Sequence, residues 1–136
     1  MLLQLYRAIN KRYVEEIEQS PIKSYIEKLY ADEAPPGISY PIATFTDVST
    51  GVEARTICKG VNSFTMEFRV YSVNADRADY LGRLLHQIYN NYNLPLEDGL
   101  KTISCKLDSR RVTYDRTDNI YVYIGRYTYN ICESIA

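Results

Sequence analysis

The sequence predicts an α+β fold: an antiparallel, mixed-length sheet of about four to five strands with two main helices packed on one face. Two segments carry apolar residues at helical spacing, 2–17 and 74–93. Strand-like alternation of apolar and polar residues marks segments 40–49, 63–73, 100–115 and 119–131. The order of elements is therefore α–(α)–β–β–α–β–β. A length of 136 residues suits a single domain, 1–136.

The N-terminal third is predicted to be helical and then to end in a rigid connector. Its apolar residues recur every three or four positions: Leu2, Tyr6, Ile9, Tyr13 and Ile17. Ser20 followed by Pro21 is typical of a helix N-cap with proline at the first helical position. We therefore expect a short second helical piece over Ile22–Ile26. Three prolines and a glycine in 35–41 exclude a regular element there.

The clearest strand is 63–73, and it leads directly into the second helix. Its apolar residues alternate with polar ones, as expected when one face of a sheet packs on a core: Phe64, Met66, Phe68 and Val70. Asn74 is a plausible N-cap for helix 74–93. The apolar stripe of that helix comprises Ala78, Leu81, Leu85, Ile88 and Tyr92.

The last hairpin combines strand 100–115, with a bulge expected near Asp108–Ser109, and the return strand "NIYVYIGRYTYNI", 119–131. All four tyrosines of the return strand lie at odd positions, whereas Ile120, Val122 and Ile124 occupy even ones. We expect the aliphatic face to seal the chain's own core and the phenolic face to meet another protein. Gly125 interrupts the phenolic row, which predicts a bulge or the close approach of a neighbour.

Charge and composition limit the classes of partner. The chain has 16 basic and 17 acidic residues, a formal net charge of −1, with no block of either sign. Such a chain is poorly suited to hold DNA or an anionic membrane by charge alone. The apolar run at the N-terminus is interrupted by Arg7, too early for a signal peptide or a spanning helix. We therefore expect an intracellular protein without a membrane segment.

Signals of catalysis are sparse, so no enzyme activity, metal or cofactor is predicted. The single histidine, His86, lies beside the apolar stripe of the second helix, where a structural or solvent-facing role is expected. No glycine-rich phosphate loop or nucleophile elbow is present. The three cysteines are too few and too dispersed for a disulfide framework or a zinc site.

Two groups of residues are candidates for contact with partners. The first is a subunit or partner interface on the last hairpin, comprising Tyr121, Tyr123, Arg126, Tyr127, Tyr129, Arg110 and Arg111. The alternative is a solvated sheet face on which arginines stack against tyrosines. The second is the polar loop 50–62, where Gly51, Glu53, Arg55, Lys59 and Gly60 are predicted to line a bore or dock a partner. An ordinary mobile surface loop is the alternative there.

Three phrases, taken in order, resemble a known family. They are "LYADEAPPGISYPIATF" (29–45), "FTMEFRVYSVNADRADYLGRLLHQIY" (64–89) and "SRRVTYDRTDNIYVYIGRYTY" (109–129). Their order and spacing resemble the tail terminator proteins, also called tail-completion or head-to-tail joining proteins, of long-tailed bacteriophages and phage-like particles. The resemblance covers about residues 2–131. The extended first helical region and the tyrosine-rich last strand depart from the family pattern.

The resemblance implies a structural role in the virion rather than catalysis. Such proteins form a ring, typically of six subunits, that caps the finished tail tube, ends its growth and presents a surface to the head connector. The implied partners are further copies of this chain, the tail tube protein and head connector or adaptor proteins. DNA would pass through the bore without specific binding. The implied location is the tail-neck region of the virion, after synthesis in the cytoplasm of the host bacterium.

Two other functions remain open at the level of sequence. One is a head-side connector or head-completion (neck) protein, which belongs to the same assembly. The other is a small ligand-binding module or enzyme that uses the tyrosine-rich sheet face, with Tyr127, Arg126 and His86 forming its pocket.

Overall fold

A computed structural model describes residues 1–49 and 61–133. In these ranges the predicted α+β fold is confirmed. The regular elements are helices α1 (Leu2–Glu16) and α2 (Ala75–Tyr89), and strands β1 (Leu29–Ala31), β2 (Ile42–Asp47), β3 (Val61–Ser72), β4 (Leu100–Asp115) and β5 (Ile120–Glu133). Short 3₁₀ turns at Ile17–Gln19 and Pro21–Ser24 follow α1. Most of the predicted polar loop, including Gly51, Glu53, Arg55, Lys59 and Gly60, lies outside the described residues.

Local signals position the ends of these elements as expected. The side chain of Asn74 accepts a hydrogen bond from the backbone N–H of Arg77 and so caps α2. Ser20 caps the Pro21–Ser24 turn by accepting from the N–H of Ile22. This second helical piece is one 3₁₀ turn and ends before Ile26. The β4–β5 register shifts between Leu107 and Ser109, which confirms the predicted bulge.

The five strands form one mixed sheet in the order β1-β2-β3-β5-β4. β1 pairs with β2 in parallel, and all other neighbours are antiparallel. Strand β1 is the one described strand for which the apolar pattern gave no separate prediction. In the described part of the chain, β1 and β4 each pair with a single neighbour, so they form the two edges of the sheet.

The register places β1 level with the middle of β4 across the sheet. Tyr30 of β1 pairs with Thr44 of β2, Thr44 with Arg69 of β3, Arg69 with Ile124 of β5, and Ile124 with Arg111 of β4. The rows on either side connect β1 in the same way to the positions that flank Arg111. The residues of β1 and the positions around Arg111 in β4 therefore lie in the same rows of paired residues across the sheet.

Both helices pack on one face of the sheet, and that face is the phenolic face of β5. Tyr123, Tyr127 and Tyr129 are 2%, 2% and 0% exposed and belong to the main core with residues of α1 and α2. Tyr127 packs edge-on against Phe68, whose ring also contacts Tyr89 of α2 at 4.6 Å between centroids. The expectation that the phenolic face awaits another protein is therefore wrong for these three tyrosines, because the chain's own helices cover them.

The aliphatic residues of β5 lie on the opposite face. Ile120, Val122 and Ile124 form a second, smaller cluster with Tyr71 of β3, separate from the main core. β5 therefore contributes to a buried cluster on each of its two faces. This explains why apolar residues occupy both the odd and the even positions of the strand. The expected assignment of the two faces is thus reversed.

Gly125 occupies a regular position of β5. It pairs with Phe68 of β3 on one side and with Arg110 of β4 on the other, so the expected bulge is absent at this described residue. A β-carbon built here would lie 2.9 Å from the hydroxyl oxygen of Tyr123. The close approach predicted for Gly125 is therefore made by a side chain of the same strand.

A second glycine determines how closely α2 approaches the sheet. Gly82 lies in the middle of α2 and is buried against the ring of Tyr123. A methyl group at this position would overlap that ring, so only glycine lets helix and strand meet at this distance.

We predict that Gly82→Ala destabilises the protein. Alanine favours a helix over glycine by about 1 kcal/mol, but overpacking a core costs about 1–3 kcal/mol. We therefore expect the free energy of unfolding, measured in urea, to fall by up to about 2 kcal/mol. Gln87→Ala, at an exposed position of the same helix, should change it by less than about 0.5 kcal/mol. A gain in stability for Gly82→Ala would show that α2 is not held at this contact.

Candidate partner-binding surface

The outer half of β4 is the most exposed strand segment of the described structure. Every residue from 108 to 114 is exposed, although the segment is hydrogen-bonded to β5 along its inner side. We call it the β4 edge segment (108–114). An exposed edge strand presents unpaired backbone N–H and C=O groups, which another strand can bind.

Apolar and basic side chains alternate on the helix side of this segment. The Nε of Arg110 donates a hydrogen bond of 3.0 Å to the hydroxyl of Tyr123. Val112 and Tyr114 are 37% and 44% exposed, and the Tyr114 ring lies 4.9 Å from that of Tyr121. The β4 edge segment thus offers both apolar area and a positive charge to a partner.

A buried hydrogen bond connects α2 to β5 beneath this surface. The Nδ1 of His86 and the hydroxyl of Tyr127 share a hydrogen bond of 2.7 Å. Burial raises the pKa of Tyr127. Burial also lowers the pKa of His86 below its ordinary value, and the positive charge of Arg110 lowers it further. Neutral imidazole and neutral phenol are therefore the favoured forms, as expected for a structural pair.

The pocket predicted from Tyr127, Arg126 and His86 is not formed. Arg126 follows Gly125 and precedes Tyr127 in a regular strand, so its side chain points to the opposite face of the sheet. Its Nε donates to Glu67, not to either of the other two residues. The structure thus brings His86 and Tyr127 together and separates both from Arg126.

The helix-free face of the sheet, here called the open face, carries a buried acid between two arginines. The Glu67 side chain is 3% exposed and accepts hydrogen bonds from the Nε of Arg69 at 2.7 Å and the Nε of Arg126 at 2.9 Å. The two arginine side chains are 38% and 44% exposed. Arg111 lies on the same face, in the row that contains Arg69. One carboxylate thus stands among three cationic groups.

Short polar side chains continue the open face beyond these charges. Thr65 and Thr128 form a hydrogen bond across β3 and β5, and Thr128 also donates to Asp108 of β4 at 2.6 Å. Asn130 donates to Ser104 of β4 at 2.8 Å. These cross-strand bonds connect three strands and make this part of the open face polar, whereas the aliphatic cluster of Ile120, Val122 and Ile124 lies at its other end.

The predicted interface residues are therefore distributed over three environments. Tyr123, Tyr127 and Tyr129 lie in the core, and Tyr121 is half-buried on the helix side. Arg110 lies on the helix side, whereas Arg111 and Arg126 lie on the open face. Sequence reasoning did not include Glu67, Arg69, Val112 or Tyr114 in the site. The alternation of strand 63–73 places Glu67 and Arg69 on one face, and this is the signal that identifies them.

The described residues contain no group of three or more His, Cys, Asp or Glu side chains placed to hold a metal ion. In the same ranges, no helix has the length and apolar character needed to cross a membrane.

Comparison with known proteins gives a likeness among solved structures. No protein-family model matches the sequence, and no curated protein matches it. Among solved structures, the chain is similar to a protein chain of the virion of a native gene transfer agent (GTA) particle. The TM-score is 0.64 at 10% sequence identity, and the match covers 96% of this chain and 92% of that chain. At this identity the likeness establishes a shared fold over nearly the whole length of both chains.

We predict that Glu67→Gln lowers stability, because it removes the one negative charge between Arg69 and Arg126 while keeping the side-chain shape. Since both arginines are partly exposed, water offsets part of the loss, and we expect about 1–2 kcal/mol in urea unfolding. Glu97→Gln, at an exposed site, is the matched control and should have almost no effect. Equal stability of the two variants would contradict a structural role for the Glu67 ion pairs.

We also predict a pH dependence that originates at His86, the single histidine of the chain. Its pKa is lowered in the folded state, so below about pH 6.5 the unfolded chain binds more protons than the folded one. Stability should therefore fall as the pH is lowered from about 7.5 to about 5.5. His86→Gln, measured by thermal unfolding across the same range, should show a smaller fall. An identical pH profile in the variant would exclude His86 as the cause.

Proposed function

We propose that this protein is a structural component of a phage-like virion, a tail terminator that forms a ring, the hexamer typical of such proteins, at the end of the tail tube. In this role it ends tube growth and joins the tail to the head connector. The observation that carries the proposal is the fold shared with a chain of the GTA virion, with 96% and 92% of the two chains covered. The resemblance of segments 29–45, 64–89 and 109–129 to tail terminators supports the same role.

The β4 edge segment supports assembly with further copies or partners. A ring requires each subunit to present surfaces that its neighbours cover. The segment from 108 to 114 is exposed on both faces and unpaired along its outer side in the described structure. Arg110, Arg111 and Tyr121 remain candidates for the proposed interface. Tyr123, Tyr127 and Tyr129 are buried in the core, where they shape this hairpin.

The open face supports passage of DNA without specific binding. Glu67 offsets part of the charge of Arg69 and Arg126, and Arg111 adds one further charge. The rest of the face combines neutral hydroxyls and amides with the aliphatic cluster of β5. The open face lacks the dense basic surface that makes binding to phosphates strong and salt-dependent.

The test compares two partners for the purified protein. Native mass spectrometry and negative-stain electron microscopy are performed on the protein alone, with assembled tail tubes, and with head connectors. We expect closed rings, alone or on tubes, and tubes that stop growing once their ends are capped. Binding to head connectors but not to tubes would overturn the tail role in favour of a neck protein. A protein that remains monomeric and binds neither would overturn the proposal as a whole.

A further inference from the structure

We infer that neighbouring subunits join head to tail by continuing the sheet: the β4 edge segment of one copy pairs with β1 of the next. The inference rests on the proposed ring and adds to it the two surfaces that meet. The partner of the β4 edge segment is thus a second copy of this chain, which binds through its β1 edge.

The register and the direction of the two edge strands allow them to pair. Arg111 and Tyr30 lie in one row of the sheet, so a sideways step by one subunit brings the β4 edge segment beside β1 of the neighbour. β4 runs antiparallel to β5, β5 to β3 and β3 to β2, while β1 is parallel to β2. β4 and the neighbour's β1 therefore run antiparallel when the helices of both subunits stay on the same side.

This direction places basic residues beside acidic ones. In this register Arg110 lies opposite Ala31, the last residue of β1, and the exposed acidic residues Asp32 and Glu33 follow directly, on the side of Ser109 and Asp108. Among the described residues, Arg110 and Arg111 form no ion pair within their own chain. Their charges are thus available to the acidic edge of a second copy.

The other end of the contact is more apolar. Val112 and Tyr114 lead toward the N-terminal end of the neighbour's β1, where a cleft of about 440 Å³ opens. The exposed apolar residues of that region are Tyr25, Ile38 and Tyr40. The cleft is lined by Tyr25, Glu27, Lys28, Tyr30, Ile38 and Pro41, together with neighbouring residues. Val112 and Tyr114 thus face a cleft of mixed character, in which Glu27 and Lys28 lie among apolar residues, at the end away from the arginines.

The contact is heterologous, because β4 and β1 are different surfaces on opposite edges of one sheet. A heterologous contact builds a ring when the rotation between neighbouring subunits closes on itself, and an open filament when it does not. Pairing of β4 with β4 of a second copy would instead stop at a dimer. The edge arrangement and the proposed ring are therefore consistent.

Charge reversal tests the two surfaces separately. The variants are Arg110→Glu/Arg111→Glu on β4, and Asp32→Arg/Glu33→Arg beside β1. All four positions are exposed, as are those of the control Arg7→Glu/Lys11→Glu on α1. Circular dichroism verifies that each variant is folded. Native mass spectrometry then gives the concentration at which half of the subunits are in rings. We expect this concentration to rise at least roughly tenfold for either double variant and not to rise for the control. The four substitutions combined in one chain should restore assembly.

A covalent test covers the case in which charge reversal has a small effect. Arg111→Cys and Tyr30→Cys in one chain should form a ladder of disulfide-linked oligomers under mild oxidation, because paired strands hold such residues within bonding distance. Each single cysteine variant, and Lys11→Cys with Tyr30→Cys, should give no such ladder.

The possible results separate the inference from the proposed function. If the wild-type protein forms rings, the Asp32→Arg/Glu33→Arg variant does so equally well and the cysteine pair gives no ladder, the inference is wrong and the ring stands. The direct β4–β1 contact is also wrong if the combined four-residue variant does not regain assembly and the cysteine pair gives no ladder. If the wild-type protein forms no ring, alone or on tubes, the proposed function falls and the inference falls with it.

Discussion

The contact between Gly82 and the ring of Tyr123 is the constraint on which the rest of the structure depends. Because the glycine has no side chain, α2 lies directly on β5, and the ring occupies the space that a β-carbon would take. This close contact brings His86 within hydrogen-bond distance of Tyr127 and brings Tyr89 against Phe68. It also decides which face of the sheet is covered, and therefore which face remains open to partners.

Tyrosine suits such a layer because its ring is apolar and its hydroxyl can be satisfied at the edge of the core. The hydroxyls of Tyr13 and Tyr89 donate to the backbone carbonyls of Ile26 and Ile9, at 2.6 and 2.7 Å. The hydroxyl of Tyr123 accepts from Arg110, on the exposed side of the helix layer. A core of this composition keeps polar contacts with its surroundings, which an aliphatic core lacks.

Sequence periodicity predicted the long elements well and could not predict what depends on their pairing. Strand β3 and helix α2 show their period over many residues, so their type was evident. Strand β1, Leu29–Ala31, is too short to show any period and exists because it pairs with β2. The alternation in β5 separated its two faces correctly, but both are apolar, and only the position of α2 decides which one faces the helices. The burial of Glu67 likewise depends on the register that brings Arg126 beside it.

The charges on the β4 edge segment favour a specific partner and disfavour others. An edge strand without charged residues pairs indiscriminately with other strands, whereas charged residues prevent this. In an antiparallel pair of two β4 segments centred near Arg111, the arginines of both copies would lie close together, and such like-charge neighbours are destabilising. In the proposed contact with β1, the same arginines lie next to the end of the strand that Asp32 and Glu33 follow. The residues that protect the isolated subunit from uncontrolled pairing are therefore those that would favour an acidic edge in the proposed head-to-tail contact.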